Sequence, residues 1–453
     1  MGYCPVVESG FLGERSSGAA MWGSPAVALL ILALAVLAPT AASAETGRPS
    51  APERRPAVVA LDPRLEGDER ATRLAFTVTA PLDVQAFVLE RPDRVVVELP
   101  EVSFGLGREA GRKGLGLLRS YRFGLFAPGR SRLVIDLSAP ALVARITTEP
   151  APGGDGLHTV TLELKRAGRD AFARQAALAR SGEARAPAQA PPAQGPSAQA
   201  AASVPAASLP LRSRDADRRP LVVVDPGHGG VDPGARGEGG VLEKDLVLSV
   251  ARELHAKLLR SGRYRVLLTR EGDSFVALGQ RVSRAREAGA DLFVSLHADI
   301  MPGGAPARGA TVYTSAERAS DAGAARLAAT ENEADAAAGL DGAPDVEEVA
   351  DILSDLTRRE TRVFSHQLAG LLVKGLGHAG GLTKQPHRSA GFKVLSAPDV
   401  PSVLVELGYL SNRQDTERLM SDAGRGRAAE SLLSSVDAYF ARRLASGEAA
   451  GPR

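Results

Sequence analysis

Hydrophobic and polar positions recur with different periods in the two halves of the chain. Between residues 57 and 165, short stretches alternate apolar and polar side chains, with turns such as Pro92-Asp93 between them. From Pro220 onward, short apolar runs alternate with stretches of helical period, such as apolar positions 246, 247, 250, 254 and 258. The pattern predicts a small all-β sandwich domain followed by an α/β domain with a helix-flanked mixed sheet.

The same periodicities place the individual elements. In the first half, strands are predicted at 57–60, 73–79, 84–89, 94–99, 131–137 and 158–164. In the second half, strands are predicted at 221–224, 264–268, 291–296, 309–314, 391–395 and 402–406, and helices at 243–260, 276–287, 358–376 and 414–443. We expect the second domain to span residues 219–445.

Two further segments lack the composition of a folded domain. Residues 166–218 are rich in alanine, proline, glutamine and serine, and such a segment cannot bury a core, so we predict a disordered linker. Residues 1–44 contain a short apolar run at 26–38 and end in Ala42-Ser43-Ala44, a small-x-small cleavage signal. Because the run is too short to cross a bilayer comfortably, we predict a removed signal peptide, hence export, and no membrane span after processing.

Charge and cysteine content limit the partners and the metal ligands that the chain can have. The 55 basic and 53 acidic residues give a formal net charge of +2, so we expect no extended positive potential that would attract a polyanion. Nucleic acid is therefore excluded as the main partner. The single cysteine, Cys4, lies in the leader. A metal in the mature chain must therefore be bound by histidine, aspartate or glutamate.

Such side chains follow three predicted strands. His228 comes just after the first strand of the second domain, His297 follows 291–296, and Glu406 ends 402–406, while Glu243 opens the first helix. Ligands bind at the carboxyl ends of strands in α/β sheets. Two imidazoles and one carboxylate, with a fourth position left for water, form a common catalytic zinc site, and a further carboxylate can act as general base. The residues alone predict a zinc hydrolase of an amide.

Each of these residues also has a structural interpretation. Glu243 could be favoured at a helix start by the helix dipole, and His297 could be a buried core histidine. Glu406 is harder to explain in this way, because a carboxylate is seldom buried at the end of an apolar strand without a partner. His387, in Pro386-His387-Arg388, is a candidate substrate contact.

Four motifs in this order resemble those of zinc-dependent N-acetylmuramoyl-L-alanine amidases. They are Val224-Asp-Pro-Gly-His-Gly-Gly, Glu243-Lys-Asp, Ser295-Leu-His-Ala-Asp and Pro401-Ser-Val-Leu-Val-Glu-Leu-Gly-Tyr-Leu-Ser-Asn412. Asp93-Arg-Val-Val-Val-Glu-Leu-Pro100 is similar to the signature of AMIN domains, small β domains that target cell-wall enzymes. The domain order resembles that of periplasmic septal amidases.

This resemblance implies a role for each site residue. His228, Glu243 and His297 would bind Zn²⁺, and Glu406 would be the catalytic glutamate. The implied reaction cleaves the amide between N-acetylmuramic acid and the L-alanine of the peptidoglycan stem peptide during cell division. Two alternatives stay open: a zinc carboxypeptidase acting on another peptidoglycan bond, and a zinc-containing cell-wall-binding protein without activity.

An insertion at residues 317–356 is long for a connection in a compact domain. Septal amidases have a similar insertion with a Glu-Asn-x-x-Asp pattern, in which a helix blocks the zinc until a LytM-type activator displaces it. By that resemblance Glu331 is the candidate blocking ligand, and Glu333 is the alternative. Apolar residues at 346, 349, 352, 353 and 356 predict an amphipathic helix and a docking face for the activator. A solvated acidic surface insertion is the competing interpretation.

Overall fold

A computed structural model describes residues 58–107, 109–152, 156–181, 217, 219–300, 307–340 and 352–445. The predicted signal peptide, the linker after residue 181 and the predicted docking helix up to residue 351 lie outside these residues, and so do the side chains at 352–355. Within the described residues, no helix combines the length and apolarity needed to cross a membrane.

The first half forms a β-sandwich, as predicted. One sheet has the strand order β5-β1-β2-β9-β8 and the other has β3-β4-β7-β6. Apolar side chains from both sheets form the core between them, including Phe76, Val95, Ile135 and Leu162. The strands are β1 (Val58–Gly67), β2 (Ala71–Val78), β3 (Gln85–Leu89), β4 (Arg94–Pro100), β5 (Val102–Phe104), β6 (Leu118–Ala127), β7 (Arg130–Leu137), β8 (Ala141–Pro150) and β9 (His158–Arg166).

The linker prediction is wrong at its start. Helix α1 (Arg169–Ser181) follows β9 directly, and Phe172 and Ala176 are buried in the sandwich core. Two apolar side chains four residues apart lie on one face of a helix, which is enough to attach this short segment. Strands β6 and β8 were also missed, because arginine, glycine and threonine interrupt the apolar alternation there.

The second half is an α/β domain with a mixed six-stranded sheet, as predicted. The strand order is β11-β10-β12-β15-β13-β14, with parallel pairing throughout except between β13 and β15. The strands are β10 (Leu221–Pro226), β11 (Arg265–Leu268), β12 (Leu292–His297), β13 (Ala310–Ser315), β14 (Leu382–Ala390) and β15 (Ser402–Glu406). Valines and leucines fill the centre of the sheet, with helices on both faces.

The helices around this sheet are α2 (Glu243–Arg260), α3 (Leu278–Glu287), α4 (Ala322–Asn332), α5 (Ala334–Ala337), α6 (Ile352–Gly380), α7 (Arg413–Met420) and α8 (Asp422–Ala445). Two predictions are corrected. The segment 391–395 is not a strand but ends in a short 3-10 turn at Lys393–Leu395, and the edge strand is β14 instead. The predicted helix 414–443 is two helices that separate at Ser421, whose backbone is extended.

Candidate metal centre

The strand ends bring the site together at one edge of the sheet. His297 and Glu406 are paired in register between the parallel strands β12 and β15. His228 lies two residues beyond the end of β10, which pairs with β12 on its other side. Glu243 is the first residue of α2. The structure therefore assembles the four side chains that the sequence selected.

The two histidines meet with ring centroids 4.9 Å apart and an interplanar angle of 75°. His228 Nε2 and His297 Nδ1 are buried and form no hydrogen bond with any residue that the structure describes. Buried polar atoms nearly always have a hydrogen-bond partner. Two neighbouring ring nitrogens without such a partner therefore require an explanation. A divalent cation supplies one, because neutral imidazole nitrogens and carboxylate oxygens are ligands that zinc accepts.

Glu243 approaches both histidines and is fully buried. Its Oε2 lies 3.1 Å from His228 Nε2, and its Oε1 lies 3.2 Å from His297 Nδ1. The same two oxygens accept hydrogen bonds from the backbone N–H groups of Ala235 and Ala298, both at 2.8 Å. Although burial acts in the opposite direction, the two imidazoles hold the pKa of Glu243 well below its usual range. The carboxylate is thus ionised and fixed in place.

His228 adopts a left-handed backbone conformation with φ +58°, which is rare for a residue with a side chain. The Arg281 guanidinium donates a 2.8 Å hydrogen bond to the His228 carbonyl, and Asp232 Oδ2 lies 2.8 Å from His228 Nδ1. A Cβ atom at Gly234 would come within 2.6 Å of the His228 ring. The local chain therefore fixes the orientation of this imidazole from both the backbone and the ring side.

Glu406 combines complete burial with a free oxygen. Its Oε2 accepts the backbone N–H of Asp299 at 2.9 Å, while its Oε1 forms no hydrogen bond within the described part of the chain. Burial, together with the nearby carboxylates of Glu243 and Asp299, raises the pKa of Glu406 well above its usual range. A carboxyl group of this kind is suited to accept and return a proton.

Glu331 reaches the same point from helix α4. Its Oε2 is 3.2 Å from His297 Nδ1 and 3.7 Å from His228 Nε2, and these three ligand atoms lie within 4.8 Å of one another. The side chain is buried, and burial raises its pKa above the usual range despite the two imidazoles. Glu333, the alternative blocking residue, is instead exposed and caps the end of α4.

The neighbours of Glu331 hold the segment against the α/β domain. The Asn332 side chain donates to the Gly391 carbonyl and accepts the N–H of Lys393, both at 2.8 Å. Asp335 Oδ1 accepts the N–H of Leu278 at 2.9 Å. The Glu-Asn-x-x-Asp pattern of the sequence thus consists of one residue that faces the histidines and two that attach the segment.

His387 is not brought to this centre. It lies on the edge strand β14, with its ring centroid 5.1 Å from that of His366 and its Nε2 3.3 Å from the Thr314 hydroxyl. It is absent from the lining of both cavities that open at His228. Sequence reasoning in turn missed Asp232 and Arg281; the spacing His-x-x-x-Asp after the first strand was the available signal for the aspartate.

A cavity of about 460 Å³ between the two domains leads to His228. Strand β6 and the preceding loop contribute Tyr121, Arg112 and Arg122, and the α/β domain contributes Arg236 and Asp299. Glu331 and its helix form another part of the wall. A substrate in this cavity would contact both domains.

Comparison with known proteins agrees with this architecture. The family described as N-acetylmuramoyl-L-alanine amidase matches residues 222–438, and the AMIN domain family matches residues 63–157. The chain is 37% identical over 375 residues to N-acetylmuramoyl-L-alanine amidase AmiC of Neisseria meningitidis serogroup B, covering 82% of this chain and 87% of that protein.

Two further relatives carry similar names. AmiC of Escherichia coli O6:H1 is 31% identical over 389 residues, with 82% of this chain and 87% of that protein covered. N-acetylmuramoyl-L-alanine amidase AmiA of Escherichia coli K12 is 37% identical over 230 residues, which cover 51% of this chain and 79% of that protein.

Proposed function

Because the chain belongs to the N-acetylmuramoyl-L-alanine amidases and carries an AMIN domain, we propose that it cleaves peptidoglycan between N-acetylmuramic acid and L-alanine by a zinc-dependent hydrolysis. The proposed zinc dependence is supported by the buried ring nitrogens of His228 and His297, which lack hydrogen bonds to described residues. The Glu243 carboxylate lies next to both. His228, Glu243 and His297 would hold the ion.

When bound, zinc would act as a Lewis acid on the amide carbonyl and lower the pKa of a water molecule. Glu406 is the residue that would take the proton from the attacking water and return it to the amine of L-alanine as the amide bond breaks. Its free Oε1 has no competing partner, and the Asp299 N–H holds the other oxygen. Asp232 and Arg281 would keep the His228 ring in the ligating orientation.

The interdomain cavity is our proposed site for the stem peptide. This peptide carries free carboxylates, and guanidinium groups bind carboxylates well. Arg112 and Arg236 line the cavity from opposite domains, and burial together with the neighbouring Arg112 charge lowers the pKa of Arg236. An anionic ligand would offset the repulsion between these cations.

Autoinhibition is part of the same proposal. Glu331 stands at the histidine pair, where its carboxylate would take the position that water and substrate need. A LytM-type activator would displace the helix. A further part is the place of action: export to the periplasm through the signal at 1–44, and targeting to septal wall through the β-sandwich at 57–165. These last points rest on the resemblance to septal amidases.

The test is mass spectrometry of purified peptidoglycan after incubation with the activated enzyme, with and without chelator. We expect stem peptides with a free L-alanine amino terminus, and none after zinc removal. Release of a terminal amino acid would indicate a carboxypeptidase, and binding without any product would indicate a wall-binding protein. Undiminished cleavage by a metal-free preparation would reject zinc chemistry.

A further inference from the structure

The outer face of one sandwich sheet is buried rather than solvated. Val96 of β4 and Val134 of β7 are paired in register, and neither has measurable exposure. Their sequence neighbours Val95 and Ile135 point into the sandwich core, so these two valines point away from it. Antiparallel sheets of sandwiches commonly leave that face to solvent. Another part of the protein must therefore cover the outer face of this sheet.

The α/β domain provides this cover with two separate parts. One part is the loop after His228 and the loop before α3: Val231 and Phe275 pack on the sheet, and Phe275 stacks on Phe126 with ring centroids 5.8 Å apart. The other part is the stretch that directly follows α5, where Ala338 and Leu340 join the same apolar cluster. The segment that carries Glu331 thus also contacts the β-sandwich.

Two arginines of the sheet bind the backbone of that segment. Arg122 Nε donates to the Ala337 carbonyl at 2.6 Å. Arg132 Nη1 donates to the carbonyls of Ala338 and Gly339 at 3.0 and 3.1 Å. These carbonyls lie at the end of α5, where the helix dipole favours a cation.

Both guanidinium groups are held in position from behind. Arg122 forms a bidentate pair with Asp136, with both distances at 3.0 Å. Arg132, whose side chain is only 4% exposed, pairs with Glu98 at 2.6 Å. Asp136 and Glu98 fix the two guanidinium groups whether or not residues 337–340 are bound. The arginine side chains therefore lose little conformational freedom when those residues bind.

Gly339 makes the close approach possible. Its φ is +73°, and a Cβ atom there would lie 2.8 Å from Val96 Cγ2, a contact that real Cβ atoms do not make. A side chain at this position would therefore push the segment off the sheet. Glu331 precedes Ala337 by only six positions, and Glu333 alone separates α4 from α5.

From these contacts we propose that the β-sandwich has a function besides targeting: it clamps residues 337–340 and so stabilises the state in which Glu331 faces the histidines. The proposal rests on the autoinhibition proposed above. Release of the blocking helix then requires that 337–340 leave the sheet face. The state of the interface between the two domains thereby sets the basal activity of the enzyme.

The test compares two glycine variants of the zinc-loaded full chain. Gly339→Ala meets Val96, whereas Gly262→Ala has nearly the same φ, +69° against +73°, and meets nothing within 4 Å. We expect Gly339→Ala to raise peptidoglycan cleavage without activator about tenfold, equivalent to about 1.4 kcal/mol, and Gly262→Ala to leave it unchanged. Hydrogen exchange of the amides at 322–340 should accelerate in the first variant only.

A charge-conserving variant provides a second test with the sheet and the glycine intact. In Arg132→Lys the pair with Glu98 remains feasible, but the donation from the guanidinium group to the Ala338 and Gly339 carbonyls is lost. We expect the same increase in cleavage and exchange, at an unchanged cooperative unfolding temperature of the sandwich.

The outcomes separate the clamp from autoinhibition. Wild-type exchange at 322–340 in both clamp variants overturns the clamp, even when Glu331→Ala is active without activator. Faster exchange in the clamp variants, with no gain of activity in Glu331→Ala, supports the clamp as a contact and rejects autoinhibition instead.

Discussion

Two helices bring a carboxylate to the same pair of histidines, and the two are held in different ways. At the start of α2, both oxygens of Glu243 accept backbone N–H groups, from Ala235 and Ala298. At the end of α4, the Glu331 carboxylate receives no backbone N–H among the residues that the structure describes. Glu243 is therefore built into the edge of the sheet, while Glu331 depends on how its helix is attached.

The electrostatics follow the same division. The imidazoles hold the pKa of Glu243 well below its usual range, whereas burial raises that of Glu331. A buried carboxylate without hydrogen-bond donors is costly, so the Glu331 side chain gains more from leaving for water than Glu243 does. Backbone donors, rather than the distance to the histidines, therefore distinguish the proposed permanent ligand Glu243 from the proposed removable ligand Glu331.

The largest effect is expected from the fixed carboxylate. Glu243→Ala removes a proposed zinc ligand, and even the loss of an outer hydrogen-bond partner of a ligand costs roughly 10–100-fold in metal affinity. We expect a loss of at least about 100-fold in zinc affinity together with activity, measured by metal analysis and peptidoglycan cleavage. Glu253→Ala on the more exposed side of the same helix is the control. If Glu243→Ala retained zinc, Glu243 would not be the fixed ligand, and the contrast with Glu331 would be wrong.

Glu406 tests whether the buried carboxylate next to His297 is a base or a further ligand. Glu406→Gln keeps the shape and the contact with the Asp299 N–H but cannot take a proton. We expect turnover to fall by roughly 10²-fold or more, with zinc content near that of the wild type. Loss of zinc together with turnover would make Glu406 a ligand, and its assigned role would be wrong.

Much of this site was predictable because strand ends are predictable. His297 and Glu406 end apolar runs in the sequence, and parallel strands align their carboxyl ends, so both had to meet at one sheet edge. Periodicity also gave the helix at Glu243. The role of Glu331 came from its resemblance to a family insertion, since nothing in its local spacing ties α4 to strands that are distant in sequence.

The interface between the domains was not predicted, although a signal was present. Val95-Val96-Val97 in β4 and Leu133-Val134-Ile135 in β7 are continuous apolar runs rather than alternating ones. A run of this kind indicates a strand buried on both faces. Which partner covers the second face depends on tertiary packing, which no local pattern encodes. Arg122 and Arg132 were missed for the same reason.

A smaller effect should come from the orientation of His228. Asp232 is nearly fully buried and its Oδ2 lies 2.8 Å from His228 Nδ1. Asp232→Asn retains the size of the side chain but weakens this contact, and we expect zinc affinity to fall roughly 10-fold, at the lower end for such partners. Zinc titration measures it, and Asp245→Asn at an exposed position of α2 is the control. An unchanged affinity would mean that Arg281 alone orients the ring.

The removable carboxylate should give the smallest change, and one of opposite sign. Glu331→Ala leaves the fixed ligands intact and removes the group at their open side. We expect cleavage of peptidoglycan without activator to rise about tenfold, equivalent to about 1.4 kcal/mol, at unchanged zinc content. The rise is limited because Asn332 and Asp335 still attach the helix to the α/β domain. Part of the steric block therefore remains.

Glu333→Ala is the matched control, because Glu333 was the alternative blocking residue and lies two positions further along. Its side chain is exposed, whereas the Glu331 carboxylate lies against both histidines. We expect no gain of basal cleavage over the wild type. If Glu333→Ala raised it and Glu331→Ala did not, the block would operate through the cavity entrance rather than at the histidines. The contrast between a fixed and a removable ligand would then be wrong.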